Sequence, residues 1–425
     1  YELLKITPNL RVNNDVITIP GKNKLAIMIN DRLVQLSNEE LINYLKTISS
    51  NDIKKIEVIT TPPSKYDAEG NSGLINIVLK KITTDNWKAT LRSSFGAATY
   101  TSYNNGVNFS FKKNKILLQS DINYNNGSWL KTKTNTYNYI DRKWIDNSET
   151  KENYNTISSR LNFEYNISKK ITTGIQYFLN KSDLNVIDDN VSSINYDNIN
   201  NQNFNIITEG ETKPKNISHS INLYSVYQID SLGKKLSFDV DYFNFNNEIR
   251  RNFTTNQILQ NSNSLYSAIN NGSQKVNNFS IKTDAEIPLK FVNLSFGGKI
   301  SYIKTTNDVK LYNTTTGIPV FDPNQSDEFE YNENIQALYF SINKKINKWE
   351  TQLGIRYENT KTEGNSISLN QINSNNYSKF FPTAYISYVP NDDYTFSLNY
   401  SKRLSRPPYG RLNPFKWYNS ELSYR

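Results

Sequence analysis

The sequence has no cysteine, one histidine (His219) and one methionine (Met28). Lack of cysteine excludes disulfides, zinc–thiolate centres, iron–sulfur clusters and thiol nucleophiles. A single imidazole excludes His-pair metal sites. His219 has no serine motif such as G-x-S-x-G near it, so an enzyme is not expected and no cofactor is implied. No window approaches the 18 consecutive apolar residues of a membrane-spanning helix. Blocks of one charge are missing as well. The 49 Lys+Arg exceed the 40 Asp+Glu by nine, but they are dispersed and accompany no nucleic-acid-binding motif. No nucleic-acid partner is expected.

Aromatic residues are abundant at 13%, whereas a disordered chain would be poor in them. Asn is common and gathers between periodic stretches, where it suits turns and left-handed positions. At that abundance, Asn-x-Ser/Thr matches such as Asn108-Phe109-Ser110 arise by chance and are not read as glycosylation sites.

The chain has two regimes, changing near Lys81 to Trp87. The first is mixed α/β. Lys24 to Asn30 reads as a strand, with Asp31-Arg32 as a tight turn before Leu33-Val34. Ser37 lies three residues before Glu40, a capping-box spacing, and Leu41, Ile42, Leu45 and Ile48 follow at helical intervals to about Ser49. Ile53 to Thr60 alternates as a strand that Pro62-Pro63 stops. Asp67 to Gly73 reads as a turn, with Gly70 and Gly73 suited to tight backbone, and Leu74 to Lys80 reads as a buried strand.

From Trp87 onward the helical period is replaced by long alternating strands. Phe279, Ile281, Ala285 and Ile287 oppose Ser280, Lys282, Asp284 and Glu286; Ile157, Leu161, Phe163, Tyr165 and Ile167 oppose Ser158, Arg160, Asn162 and Glu164. Such runs exceed the roughly 5–6 residues of a soluble strand and fit a tilted membrane crossing of about 9–11. Thirteen strands are predicted, at about 87–96, 101–112, 115–125, 151–166, 171–182, 215–229, 234–248, 274–287, 291–305, 331–343, 349–360, 378–389 and 393–403. Short turns alternate with long polar segments near 126–152, 181–215, 248–275, 305–330 and 361–378, which are expected as loops at one end. This is the anatomy of an outer-membrane barrel, although a soluble β-sandwich also alternates apolar and polar faces. Tyr and Trp near strand ends, among them Tyr124, Tyr302, Tyr339, Trp349 and Tyr357, suit interfacial girdles.

The run from Asn23 to Lys81 resembles the plug of TonB-dependent outer-membrane receptors, and more narrowly the Bacteroidota-type outer-membrane β-barrel family. The matching segments are Asp31-Arg32, Leu36 to Leu41, Ile53 to Ile59, and Pro63 to Lys81, the last carrying Tyr66, Asp67, Gly70, Gly73 and Asn76. Ser405 to Tyr409 and Leu412 to Phe415 resemble a family segment that follows a mid-barrel strand. The resemblance implies a mainly β fold: a plug over 1–84, then a transmembrane antiparallel barrel over 85–425. The chain would hold thirteen of about 22 strands, a number whose lumen needs a filler. An odd number leaves an open edge in lipid, so the chain is expected to be one part of a longer protein.

The resemblance further implies a receptor in the cell outer membrane that imports an extracellular ligand. Its partners would be outer-membrane lipid, a small chelate, saccharide or peptide, and the inner-membrane TonB complex acting through a segment upstream of Tyr1. A passive porin-like or surface-binding barrel is the alternative. Candidate plug-motif residues are Asp31, Arg32, Glu57, Tyr66, Asp67, Gly70, Gly73 and Asn76, with Glu57 and Asp31 expected to pair with wall arginines such as Arg92 or Arg160. Asp67 and Glu69 lack the full oxygen-ligand loop of a Ca²⁺ site. Candidate ligand-loop aromatics are Tyr137, Tyr139, Trp144, Tyr196, Phe204, Tyr312 and Phe321, which suit stacking on a ligand or packing of the loops on one another.

Overall fold

The computed structural model describes residues 1–13, 16–22, 24–34, 38–48, 50–69, 72–80, 82–140, 142–196, 203–259, 262–391, 393–404, 406 and 416–419. Ser37, Gly70 and the two segments 407–409 and 412–415 of the family-like motif lie outside these residues, as does Ser405.

The N-terminal unit comprises α1 (Glu2–Lys5), β1 (Arg11–Asn13), β2 (Val16–Thr18), β3 (Lys24–Ile29), β4 (Arg32–Leu33), α2 (Asn38–Thr47), β5 (Ile53–Ile59) and β6 (Ser72–Leu79). Its main sheet has the order β4-β3-β6-β5, with β3 and β6 parallel. Asn30 and Asp31 take positive φ and make the β3–β4 turn, one residue earlier than predicted, so that Arg32 begins β4. Ile27, Ile29, Leu41, Ile42, Leu45, Ile48, Ile75 and Ile77 form one buried core between α2 and the sheet. Among the described residues Phe178, edge-on to Tyr44 at 4.9 Å, is the one wall side chain that joins it. The plug therefore carries its own core. Gly73 is not a turn residue: it lies in β6, where a Cβ would run into Ile19.

Thirteen antiparallel strands follow, hydrogen-bonded in sequence order from β7 to β19 with those two as edges. They are β7 (Asn86–Ala97), β8 (Thr101–Lys113), β9 (Ile116–Asn138), β10 (Arg142–Asn166), β11 (Ile171–Tyr196), β12 (Asn203–Gln228), β13 (Lys235–Leu259), β14 (Ser262–Pro288), β15 (Asn293–Asn313), β16 (Val320–Ile346), β17 (Trp349–Ser366), β18 (Gln371–Tyr388) and β19 (Phe396–Ser401). Number and order agree with the sequence reading, but among the described residues the long polar segments mostly continue the strands rather than form loops. Asn126–Asn138 and Arg142–Glu152, for example, continue β9 and β10 in unbroken register. Polar sequence above an apolar stretch marks where a strand leaves the lipid, not where it ends, because ladder hydrogen bonds need no apolar side chains.

The two faces of the sheet confirm a membrane wall. Side chains beside the plug are polar and buried, including Ser158, Arg160, Ser280, Asp284, Ser301, Arg356 and Glu358. Their neighbours on the other face are large and exposed, including Leu161, Phe163, Phe279, Ile281, Phe296, Leu338 and Phe340. A soluble protein would invert this arrangement. On β17 the outward series runs Trp349, Thr351, Leu353, Ile355, Tyr357, then Asn359, Lys361 and Glu363. An aromatic thus stands at each end of a stretch matching the roughly 9–11 residues of a crossing. Tyr242, Tyr302 and Tyr357 donate hydroxyls to Asn277, Asn332 and Ser378 at 3.1–3.2 Å, apolar rings below and wet hydroxyls above. Tyr339, expected in the girdle, instead points inward and donates to Asp284 at 2.5 Å.

Candidate functional site: the seam between plug and wall

Polar side chains join the plug to the wall at several heights. Asn108 on β8 donates to the α2 carbonyl of Thr47 at 3.1 Å. Arg32 stacks 3.4 Å above the Tyr224 ring and lies 3.7 Å from Asp239. Lys65 lies 3.7 Å from Glu286.

The densest part lies at Pro62–Glu69. Asp67 accepts from Lys299 on β15 at 2.7 Å and from Arg356 on β17 at 2.8 Å. Arg356 also donates to Glu358 at 2.6 Å, and Glu358 accepts from the Ala68 N–H at 3.1 Å. The chain after β19 turns onto the same place. Arg403 donates to the carbonyls of Asp67 (2.9 Å) and Pro62 (2.6 Å), Leu404 N–H donates to Ala68 O (3.1 Å), and Glu69 and Leu404 form a parallel bridge. Arg406 then lies among Glu69, Glu333 and Glu358. Ser64 and Ser341 share a 2.7 Å hydroxyl bond beside Gly354, where a Cβ would overlap Ser64.

Burial pushes the Asp67 carboxyl up, but Lys299 and Arg356 outweigh it and hold the group well below the ordinary carboxylate range. Burial also raises the Tyr66 phenol. Both oxygens of Asp67 thus lie on wall cations, and Glu69 lies 3.3 Å from Arg406.

Asn76, Asp31 and Glu57 of the plug motif act inside the plug. The Asn76 amide donates to Asp31 (2.8 Å) and Glu57 (2.7 Å), while its oxygen accepts from Asp31 N–H (3.0 Å). Glu57 also pairs with Lys55 at 2.5 Å, and these two contacts lower its carboxyl. The expected pairing of Glu57 and Asp31 with Arg92 or Arg160 is corrected: Asn76, on the neighbouring strand, reaches them first, and Arg160 pairs with Asp121 on its own wall. Sequence reading missed Arg356, Glu358, Glu333, Lys299 and Arg403, and placed Arg406 in the family-like segment without a contact to the plug. A charged residue on the polar face of a predicted strand was the available signal, but it could not say which charges meet the plug.

The aromatics divide. Tyr137 and Trp144, ring centroids 6.2 Å apart, share the face of Asp121 and Asn123 and look into the lumen. Tyr312 and Phe321, 5.5 Å apart, stand opposite Ile269, on the outer face of β14–β16. Phe204 pairs across from Ile194 on the inner face, and Tyr139 lies in the β9–β10 turn against Arg142. The side chain of Tyr196 lies outside the described residues. His219 accepts or donates one 2.8 Å bond with Tyr177 and is a wall residue.

An apolar belt outside, a polar lumen and an inserted α/β unit define a transmembrane β-barrel wall around a plug. Residues 227–425 match the model of the outer membrane protein beta-barrel family. No curated protein sequence matches the chain. The unliganded ferric citrate transporter FecA is similar in structure, with a TM-score of 0.52 at 12% identity over 94% of this chain and 59% of that one. Less similar are the ferric yersiniabactin uptake receptor FyuA from Yersinia pestis (TM-score 0.37, 9% identity, 94% and 82% covered) and the outer membrane protease OmpT from Escherichia coli (0.24, 13%, 66% and 96%). The likeness to the citrate transporter shows a shared fold, and this chain spans about three-fifths of its length. Family match and fold place the chain in the cell outer membrane.

Proposed function

We propose that the chain is the plug (1–84) and N-terminal barrel part (85–425) of an outer-membrane receptor of the Bacteroidota type that takes up an extracellular ligand. The ligand would bind at the strand ends remote from the plug, and TonB-coupled displacement of the plug would open the path. The observation that supports this reading is the nature of the seam. The plug keeps its own apolar core and meets the wall mainly through ion pairs and hydrogen bonds. A body bounded that way moves without exposing a hydrophobic interior. Tyr137, Trp144 and Phe204 face inward on β9, β10 and β12 and are the proposed ligand contacts of the candidate set. Tyr312 and Phe321 face outward and Tyr139 lies in a turn, so they are not proposed as ligand contacts, and neither is Tyr196.

The test is accumulation of labelled ferric citrate, a labelled oligosaccharide and a labelled peptide by cells carrying the full-length protein, with and without a protonophore. Accumulation of one probe that the protonophore abolishes is the expected result. Uptake indifferent to the protonophore identifies a passive barrel, and binding without uptake a surface receptor.

A further inference from the structure

The seam is balanced by charges that do not belong to the plug or to the paired region of a strand. Among the described residues four carboxylates meet there, Asp67, Glu69, Glu333 and Glu358, and four cations face them, Lys299, Arg356, Arg403 and Arg406. Lys299 and Arg356 are fixed within β15 and β17, each paired on both sides. Arg403 and Arg406 follow β19, which ends at Ser401, and the backbone there leaves the wall for the plug.

The two groups of contacts differ in quality. Arg356 holds its carboxylates at 2.6 and 2.8 Å, within or below the roughly 2.7–2.9 Å of a charge-assisted bond. Arg406 is stretched among three carboxylates, at 3.3 Å from Glu69, 3.4 Å from Glu333 and 3.3 Å from Glu358. It also contacts the neutral Thr360 at 3.1 Å and Tyr377, and its buried Nε makes no hydrogen bond among the described residues. A guanidinium 9% exposed that shares long contacts among three carboxylates gives up less per contact on leaving than Arg356, whose contacts are short.

We propose that Arg403 and Arg406 form a releasable clamp on the plug. Seated, they neutralise the seam and grip Pro62–Glu69 through two carbonyls and Glu69. Withdrawn, they leave four carboxylates facing two cations, so that Glu69 of the plug is repelled by Glu333 and Glu358 of the wall. Release of the plug then needs only a shift of the chain that follows β19, with no change in the strands. The inference rests on the reading of a movable plug, but its test needs neither ligand nor energy supply.

The measurement is hydrogen exchange of β5 and β6 peptides in the full chain, folded in detergent micelles, with β16 peptides as the control for the wall. Arg406→Gln should accelerate plug exchange by about tenfold while β16 is unchanged. Adding Glu333→Gln returns the seam to three against three and should bring plug exchange back to within about threefold of the parent. Arg403→Gln should accelerate the plug in the same way. Plug exchange unaffected by both single variants overturns the clamp. Equal acceleration in Arg406→Gln and the double variant also overturns it, because the arginine would then act by packing. Acceleration of β16 together with the plug in both single variants assigns the segment to barrel integrity and likewise overturns the proposal. Failed uptake with the expected exchange pattern would instead count against import alone.

Discussion

Asp67 on the plug and Arg356 on the wall meet at 2.8 Å, and the arginine is only 2% exposed. Arg356 serves Glu358 at the same time, and Glu358 is 1% exposed. Removing the guanidinium therefore leaves buried Glu358 with the longer Arg406 contact and the Ala68 N–H, and leaves Asp67 with Lys299 alone. Arg356→Leu should destabilise the seated plug by about 2–4 kcal/mol, below the full cost of an unpaired buried charge because each carboxylate keeps one cation. Urea titration followed by proteolysis of the plug reads this directly. A loss below about 1 kcal/mol would mean that water replaces the arginine at no cost.

The pH dependence follows from Asp67. Its folded-state carboxyl titrates well below the ordinary 3.8, so its pairs contribute fully above that value. The contribution is lost as pH falls from about 4 toward the folded-state value. The stability difference between the parent and Asp67→Asn should be flat from neutral pH to about pH 5 and shrink below about pH 4. A difference that shrinks between pH 5 and 7 would show that Asp67 is not held by Lys299 and Arg356.

Gly354 sits where Ser64 of the plug approaches β17, and an added methyl would overlap the Ser64 hydroxyl. Gly354→Ala should loosen the plug by about 1–3 kcal/mol, the usual penalty of overpacking. Ser64→Ala in the same chain should recover much of that, since the closest atom is then gone. Plug proteolysis rates in the three variants decide it. No recovery would place the strain in the wall.

Inside the plug, Ile77 is 1% exposed in the core shared by β6 and α2. Ile77→Ala should cost about 2–5 kcal/mol of plug stability and leave the wall assembled. Heat-modifiable migration of the barrel on gels reports the second half of that expectation.

Topology is testable because no native cysteine interferes. Ile140, in the β9–β10 turn, and Leu232, in the β12–β13 turn, are both exposed and lie at opposite ends of the wall. On intact cells carrying the full-length protein, an impermeant maleimide should label Ile140→Cys and spare Leu232→Cys. The reverse pattern would invert the orientation.

The sequence by itself determined the wall and the plug core. Alternation with period two fixes which side chains share a face, and spacing at three and four residues marks α2, whatever the surroundings. Hence Leu161 and Phe163 were legible as one face, and Leu41, Ile42, Leu45 and Ile48 as another. Strand length was misread because apolar content was used to end strands, and the upper halves of β9 to β16 have little of it. Asn114 and Asn347, both at positive φ in two-residue turns, fit the expectation that asparagine serves turns. Only the tertiary structure decided the seam. Asp67 lies 232 residues from Lys299 and 289 from Arg356. No local period encodes a pairing across that distance. Which lumen-facing charge meets the plug depends on how the wall curves around it and how deep the plug sits, and both are set by packing rather than by any single segment.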